Sequence, residues 1–112
     1  MVDNRSEADI QKDLLSWLHK SGYKAWKNYL GPMYIQGGKR ARNPNSGQPD
    51  IFGISRLKPG RLFAIELKSL KGKLSDEQRK EIIELEKAGV YVIAGRNLDY
   101  VINTLGEWEN GK

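Results

Sequence analysis

The sequence predicts an α/β domain in which a mixed β-sheet is flanked by helices, with an extra helix on the C-terminal side. Three observations lead to this class. First, apolar residues follow helical spacing over 7–21 and again over 97–105. Second, two short apolar runs at 51–54 and 62–67 are separated by a turn. Third, another apolar run at 90–94 follows a further helical stretch. A chain of 112 residues has room for one domain with a modest core.

The first helix is predicted over 7–21. Ser6, followed by Asp9 three residues later, resembles a capping box with Asp in the position usually held by Glu or Gln. Gly22 supplies the stop signal, and residues 1–5 are expected to form a loose tail. The buried stripe is predicted from four residues at helical spacing: Ile10, Leu14, Leu15 and Leu18.

The segment after this helix predicts two strands and a long loop. Aromatic and polar residues alternate over 23–29, which indicates a strand with Trp26 on its buried side, and a short strand is expected at 33–35. Residues 36–48 are rich in Gly, Asn and Pro and predict a flexible basic loop, either an arm that grips phosphates or a solvated surface loop. Its cationic residues are Lys39, Arg40 and Arg42.

The next two apolar runs predict a β-hairpin around a Pro-Gly turn. If the hairpin is symmetric about this turn, Ile54 faces Leu62 and Asp50 faces Glu66. Directly opposed positions bring Cβ atoms to about 4.5–5.5 Å, where like charges repel. Such a pair needs a counter-charge, and a divalent cation is the usual one. Lys68 lies two residues past Glu66 and therefore projects from the same face of the strand.

A second helix and a parallel strand follow. Ser75 and Gln78 match a capping box, and the helix that they open ends before Gly89. The apolar run at 90–94 is expected to form a central strand covered on both faces, parallel to 62–67 because a helix connects the two. The buried side of the second helix is predicted from Ile82, Ile83 and Leu85.

The last helix is expected to begin after Asn97 and to end at Gly106. Residues 107–112 are then predicted to be a second loose tail. The complete order is a helix, three antiparallel strands, a helix, a strand and a helix. The buried residues of the last helix are predicted to be Leu98, Val101, Ile102 and Leu105.

Charge is distributed unevenly along the chain. Between Lys20 and Lys73 lie 12 basic residues and only two acids, Asp50 and Glu66, which gives this segment a charge of +10 within a chain of net +5. Excess positive charge of this kind favours a polyanionic partner, nucleic acid above all, because neutralising phosphates releases counterions. Two acids isolated in a cationic stretch are therefore candidates for a site.

Composition excludes several classes of site. The chain has no cysteine and one histidine, which excludes disulfides, thiolate zinc sites, cysteine nucleophiles and histidine-rich metal sites. No apolar run resembles a signal peptide or approaches the ~18 residues of a membrane span. We expect a cytoplasmic or otherwise intracellular protein with no membrane partner.

Four motif positions in order give the chain a family resemblance. Glu7, the pair Pro49-Asp50, the triplet Glu66-Leu67-Lys68, and Gln78 at the start of a helix together resemble the PD-(D/E)xK nuclease superfamily, and most closely its virus-type replication–repair nuclease branch, VRR-NUC. The resemblance implies a restriction-endonuclease-like αβββαβ core and a single nuclease domain over residues 1–112.

The resemblance also implies roles for these residues. Asp50, Glu66 and the carbonyl of Leu67 would ligate Mg²⁺ or Mn²⁺, and Glu7 would hold a metal-bound water or a second ion. Lys68 would orient or help to deprotonate the attacking water, and Gln78 would orient Lys68 or the nucleophile. DNA would contact the basic residues that flank the site, namely Lys39, Arg40, Arg42, Lys71 and Lys73.

Each assignment has a structural alternative. Glu7 could be a first-turn residue that suits the helix dipole, and the capping box alone explains Gln78. Glu66 and Lys68 could be an exposed charged pair, which would contribute little to stability. Asp50 could be a turn residue.

The function implied is a metal-dependent, structure-specific DNA endonuclease that hydrolyses phosphodiester bonds. Stand-alone members of the branch resemble Holliday-junction resolvases, which act as homodimers because two symmetric cuts need two active sites. The catalytic residues do not distinguish a junction from other branched DNA. A flap-directed or restriction-type nuclease, and a DNA-binding module without turnover, stay open as alternatives.

Overall fold

The computed structural model describes residues 5–111 and contains a four-stranded mixed sheet with three helices. The predicted order of a helix, three antiparallel strands, a helix, a strand and a helix is confirmed for the main sheet. The short strand expected at 33–35 pairs outside this sheet with an additional strand at 39–41. The elements are α1 (Glu7–Lys20), β1 (Lys24–Lys27), β2 (Met33–Ile35), β3 (Lys39–Ala41), β4 (Ile51–Ile54), β5 (Leu62–Leu67), α2 (Asp76–Lys87), β6 (Tyr91–Gly95) and α3 (Leu98–Glu109).

The main sheet has the strand order β1-β4-β5-β6. β1, β4 and β5 are antiparallel neighbours, and β5 pairs in parallel with β6 through the α2 connection. The fold class predicted from the sequence is therefore confirmed. The predicted hairpin register is also confirmed, because Ile54 lies opposite Leu62 and Ile51 lies opposite Ile65. One further step in this register brings Asp50 opposite Glu66.

The core lies on the face of the sheet that α1 and α3 cover. Phe63 is fully buried there and contacts Tyr23 and Trp108 edge-on. Gly53 lies opposite Phe63, and a Cβ at this position would approach the Phe63 ring to 2.3 Å, so only glycine fits under the ring. Each fully buried large side chain stabilises the fold by roughly 1.5–3 kcal/mol. The other apolar residues with no exposed surface are Ile10, Leu14, Leu18, Ile51, Ala64, Ile65, Val101 and Leu105.

The opposite face of the sheet is only partly covered, and here three predictions were wrong. Trp26 lies on this face with 43% of its surface exposed, stacked on Phe52, while Ala25 beside it is buried. α2 has no fully buried residue, and Ile83 is exposed, although Ile82 and Leu85 are half-buried. The strand β6 contacts both α2 and α3 but lies at the edge of the sheet, not at its centre.

The loop predicted over 36–48 has regular structure in its first half. A 3₁₀ turn at 36–38 leads into β3, which pairs with β2 in a separate two-stranded sheet. The turn uses two glycines with positive φ, Gly37 and Gly38, a conformation that side chains with a Cβ rarely adopt. The prediction of an unstructured loop is therefore wrong for 36–41.

The predicted C-terminal tail is helical as far as Glu109, so this prediction was wrong for 107–109. Trp108 stacks on Tyr91 with 4.7 Å between ring centroids, and Glu109 is 4% exposed. Gly106 does not end the helix, because the buried side chains beyond it hold the last turn in place. Of the predicted N-terminal tail, residues 1–4 lie outside the described residues.

Candidate active site

The site is built where β4 begins and β5 ends. Asp50 immediately precedes β4, and its carbonyl accepts a hydrogen bond of 2.7 Å from the backbone nitrogen of Asn28. Its side-chain Oδ2 accepts a bond of 3.1 Å from the backbone nitrogen of Leu67 on the neighbouring strand. The Asp50 carboxylate is thereby aimed across the hairpin toward the end of β5, where Glu66 lies.

Glu66 is a buried carboxyl group with one unsatisfied oxygen. It is 2% exposed, and within the described part of the chain its Oε1 has no hydrogen-bond partner. Burial raises the pKa of Glu66 to about 9, and a hydrogen bond with Asp50 and the charge of Asp50 act in the same direction. Lys68 opposes this shift and Glu7 adds to it, so these four side chains share one electrostatic environment.

Lys68 follows Glu66 by two residues and projects from the same face of the chain. Its backbone nitrogen donates to the carbonyl of Gly95, which extends the pairing of β5 with β6 by one residue. Lys68 is half-buried and lines a small cleft of about 110 Å³ with Arg96. The positive charge of Lys68 opposes the raised pKa of Glu66, so its ammonium group lies within electrostatic reach of the carboxylate pair.

Glu7 lies in the first turn of α1, where Ser6 caps the helix by accepting from the backbone nitrogen of Asp9. Its Oε1 accepts a hydrogen bond of 2.8 Å from the backbone nitrogen of Ser69, just past the end of β5. Glu7 thus fastens the start of α1 to the strand that carries Glu66 and Lys68, and it also faces the carboxylate pair.

Gln78 is the one predicted catalytic residue whose observed hydrogen bonds lie elsewhere. Its Oε1 accepts from the backbone nitrogen of Ser75, and its own backbone nitrogen donates to Ser75 Oγ. The capping box predicted from the sequence is thus confirmed. Only the side-chain amide nitrogen of Gln78 is left to act on Lys68 or on a nucleophile.

The donor set fits a small hard cation. Asp50 and Glu66 supply two carboxylates, and a buried oxygen without a hydrogen bond is what a cation would satisfy. No group of three or more acidic or histidine side chains is arranged to hold a metal among residues 5–111. Mg²⁺ typically keeps several waters and takes one or two protein carboxylates, so this smaller donor set suits Mg²⁺ or Mn²⁺.

An open cleft of about 340 Å³ leads from solvent to Asp50 and Glu7. Its lining also includes Lys27 and Tyr29. Tyr29 is 61% exposed, and its hydroxyl donates to the carbonyl of Pro32, which holds the ring at the mouth of the cleft. Neither Lys27 nor Tyr29 stands out in the sequence, because both look like ordinary strand residues.

A network of amide side chains beside this cleft was also missed by sequence reasoning. Asn43 is 5% exposed and donates to the carbonyls of Tyr29 and Gly31 at 2.8 and 3.0 Å. Asn45 Nδ2 donates to Asn28 Oδ1, and Asn28 Nδ2 donates to the carbonyl of Pro49. The Asn-Pro-Asn string was an available signal, since Asn favours turns that bond to nearby backbone.

The predicted DNA-binding residues are all exposed, but one of them is paired. Arg42 Nη2 donates to Glu77 Oε2 at 2.8 Å, and Ser46 Oγ donates to the other oxygen of Glu77 at the same distance. The remaining four are Lys39, Arg40, Lys71 and Lys73.

A mixed α/β sheet with two carboxylates and a lysine at the end of adjacent strands defines a nuclease of the PD-(D/E)xK type. The sequence profile of the VRR-NUC domain matches residues 2–96, and the chain belongs to this family. Family membership implies a hydrolase that acts on DNA. A search of curated proteins gave no significant match.

Two solved structures share the fold. One, described as a VRR_NUC domain, is 20% identical with a TM-score of 0.63 and covers 91% of this chain and 96% of its own. The other, described as a VRR_NUC domain protein, is 17% identical with a TM-score of 0.63 and covers 96% of this chain and 91% of its own. Over residues 5–111, no helix has the length and apolar character needed to cross a membrane.

Proposed function

We propose that this VRR-NUC protein is a divalent-metal-dependent, structure-specific endonuclease that cuts branched DNA, with a four-way junction as substrate and a homodimer as the acting form. The observation that carries the proposal is the buried, unsatisfied Oε1 of Glu66 beside Asp50, within a stretch of chain that is otherwise cationic. A buried pair of this kind is stable either with Glu66 protonated, the state that its raised pKa favours, or with a cation that supplies the counter-charge.

The residues that would hold Mg²⁺ or Mn²⁺ are Asp50, Glu66 and the carbonyl of Leu67, with Glu7 bonded to a metal-bound water or a second ion. When bound, the metal stabilises negative charge on the scissile phosphate and lowers the pKa of a coordinated water. The Asp50 carboxylate is already fixed by the Leu67 backbone, so one of its oxygens remains available toward Glu66.

Lys68 contributes a positive charge at the position where negative charge develops. Its ammonium group orients the attacking water and offsets the charge that accumulates on the phosphate oxygens. Because its backbone is held by Gly95, the side chain is directed along the same face as Glu66. Gln78 supports Lys68 or the water through its amide nitrogen.

DNA is held by the exposed basic residues on both sides of the cleft. Lys39 and Arg40 lie in β3, Lys71 and Lys73 follow the end of β5, and Arg42 joins them once a phosphate competes with Glu77. These contacts bind backbone phosphates and carry no sequence information by themselves.

The junction and the dimer are linked proposals. One chain provides one site, and a four-way junction is resolved by two symmetric cuts, so a two-fold dimer would present two sites to the junction. We place this activity inside the cell. Sedimentation of the protein alone and with an equimolar junction tests the dimer, and a monomer in both samples would contradict it.

The test of the function compares cleavage of four-way, flap, single-stranded and linear duplex DNA with Mg²⁺ and with EDTA. We expect Mg²⁺-dependent cutting of the junction. Asp50→Asn keeps an acceptor for Leu67, and Glu66→Gln mimics a neutral carboxyl, so both variants should fold. Each should cleave roughly 100-fold more slowly or worse while binding the junction as wild type. Glu107→Gln, on the exposed side of α3, is the control.

Three results would contradict the proposal. They are cleavage in EDTA, wild-type rates in both carboxamide variants, and loss of junction binding in a folded variant. If a flap or a linear duplex is cut faster than the junction, the protein is a nuclease but the four-way junction is not its preferred substrate.

A further inference from the structure

The hairpin formed by β2 and β3, residues 33–41, exposes three large apolar side chains to solvent. We call this hairpin the arm. Tyr34 is 69% exposed, Ile35 is 54% exposed and Met33 is 42% exposed. Each other residue of the arm is exposed as well, apart from the half-buried Ala41. A lone two-stranded hairpin is marginally stable in water, and exposed apolar patches commonly mark contact surfaces.

The arm pairs each of its two outermost apolar side chains with a cation. Tyr34 lies opposite Arg40, and Ile35 lies opposite Lys39. The arm contains no acidic residue. Because strand residues alternate, Tyr34 and Arg40 share one face of the arm, and Ile35 and Lys39 share the other. An aromatic ring beside a cationic group is the combination with which proteins bind unpaired nucleotides, because the ring stacks on a base and the cation holds a phosphate. The same charge disfavours contact between the arms of two copies of this chain.

The base of the arm is fixed to the active site. The buried Asn43 bonds both to the chain before the arm, at Tyr29 and Gly31, and to the turn after it, at the backbone nitrogen of Asn45. Asn45 then bonds to Asn28, whose backbone nitrogen bonds to the carbonyl of Asp50. Four hydrogen-bonded steps therefore hold the arm at a set position relative to a carboxylate of the site.

A continuous surface also joins the two regions. The cleft of the active site shares Leu30 and Gly31 with a second cleft of about 420 Å³ at the base of the arm. This second cleft is lined by Arg40 and Arg42. A strand whose scissile phosphate lies at Asp50 can therefore run across Gly31 with its next phosphates against these guanidinium groups, and its bases then reach the arm.

We propose that the arm binds unpaired bases next to the scissile phosphate, with Tyr34 stacked on a base and Arg40, on the same face of the arm, bound to a phosphate, and that it thereby selects branched over fully paired DNA. This inference rests on the proposed nuclease function and adds the part of the chain that reads the substrate. Tyr34 is the specificity residue, and Asn43 positions the arm.

The test uses DNA binding in place of cleavage. Binding is measured in the Asp50→Asn variant with EDTA, to a splayed DNA with 2-aminopurine at the unpaired positions and to a duplex of equal length. Tyr34→Thr removes the ring but keeps a residue that suits a strand. Tyr34→Phe keeps the ring. Tyr100→Ala, which removes a 51% exposed tyrosine from α3, is the matched control.

We expect Tyr34→Thr to lower the preference for splayed over duplex DNA roughly tenfold and to abolish the change in 2-aminopurine fluorescence on binding. Tyr34→Phe and Tyr100→Ala should behave as the parent. An unchanged preference in Tyr34→Thr would overturn the inference. The inference would also be overturned if Tyr34→Thr left the preference unchanged and shifted the protein from dimer to monomer in sedimentation. That result would show that the arm forms a contact between two copies of the chain.

Failure of this inference differs from failure of the proposed function. If the arm does not read unpaired bases, the wild-type protein still cuts DNA with Mg²⁺, and only the Tyr34 variants lack an effect. If the protein is not a nuclease, no DNA is cut, whereas the binding preference and its loss in Tyr34→Thr are measured independently of cutting.

Discussion

The carboxylate of Glu109, in the last turn of α3, accepts a hydrogen bond of 2.6 Å from the backbone nitrogen of Arg56 in the β4–β5 turn. The same side chain accepts from Ser55 Oγ at 2.8 Å and from the hydroxyl of Tyr23. Arg56 also lies over the Tyr23 ring, 4.3 Å from its centroid. One buried carboxylate therefore ties the last helix to the hairpin and to the chain before β1.

Loss of this charge should destabilise the protein. Glu109→Gln keeps the shape of the side chain but replaces an oxygen that accepts hydrogen bonds by a donor that faces other donors. We expect the free energy of unfolding to fall by about 1–3 kcal/mol in chemical denaturation. Glu107→Gln, two residues earlier and exposed, should change it by less than about 0.5 kcal/mol. Equal effects of the two variants would contradict the role of the buried network.

The same group predicts a pH dependence. Burial alone would raise the pKa of Glu109, but hydrogen bonds from Tyr23, Ser55 and Arg56 outweigh it and lower the pKa below the ordinary 4.5. A lowered pKa contributes stability that is fully present above 4.5 and is lost as the pH falls through the folded-state value. Wild type should therefore lose more stability than Glu109→Gln between neutral pH and pH values below 4.5. Parallel pH profiles would refute this assignment.

Gly47 should tolerate alanine less well than an open turn glycine. Its φ is +87°, and a Cβ there would lie 2.6 Å from Glu77 Cγ. Gly60, at φ +73° with no atom within 4 Å, is the matched control and should show the backbone cost alone, about 1–2 kcal/mol. We expect Gly47→Ala to cost more than Gly60→Ala, and Glu77→Ala to remove the difference. A difference that persists without Glu77 would point to another contact.

Glu7 is expected to contribute separately to the stability of the fold and to metal binding. Glu7→Gln keeps an acceptor for the Ser69 nitrogen, so unfolding should change by less than about 0.5 kcal/mol, whereas Mn²⁺ affinity, measured by electron paramagnetic resonance, should fall roughly tenfold. Glu7→Ala should lower both. Wild-type Mn²⁺ affinity in Glu7→Gln would limit this residue to holding the end of β5.

Binding of DNA should weaken steeply as salt increases, because phosphate contacts release counterions. Lys71→Ala and Lys73→Ala should each lower the slope of log affinity against log salt concentration by about 1. Lys87→Ala, in the last turn of α2, is the control and should leave the slope unchanged. A slope near zero for the wild type would show that phosphates do not dominate binding.

The sequence predicted the elements whose causes are local. The length of the hairpin turn alone predicted that Ile54 lies opposite Leu62. The capping box was predicted from Ser75 and from Gln78, three residues later. Trp26 was assigned to the wrong face because its aromatic size was given more weight than the alternation of the strand. Its stacking partner Phe52 lies on another strand, so the pattern of 23–29 gives no sign of this contact. The helix continues past Gly106 because Glu109 has partners 53 and 86 positions away. Such distant partners leave no periodic signal.

The active site shows the same division. Asp50, Glu66 and Lys68 follow from strand alternation and a symmetric turn. The side chains that fix their surroundings, such as Asn43 and Tyr29, act through hydrogen bonds to backbone carbonyls. Nothing in the sequence distinguishes these residues from other polar loop residues that could do the same. β3 was missed because its residues have no apolar alternation.

The place of Glu109 in the chain has a consequence for synthesis on the ribosome. Its partners at Tyr23 and in the β4–β5 turn are translated well before it, and so are Asp50, Glu66 and Lys68. Until α3 emerges from the exit tunnel, Tyr91 lacks Trp108 and the core is open at one side. The nascent polypeptide therefore carries every residue of the site before the last helix closes the core that supports them.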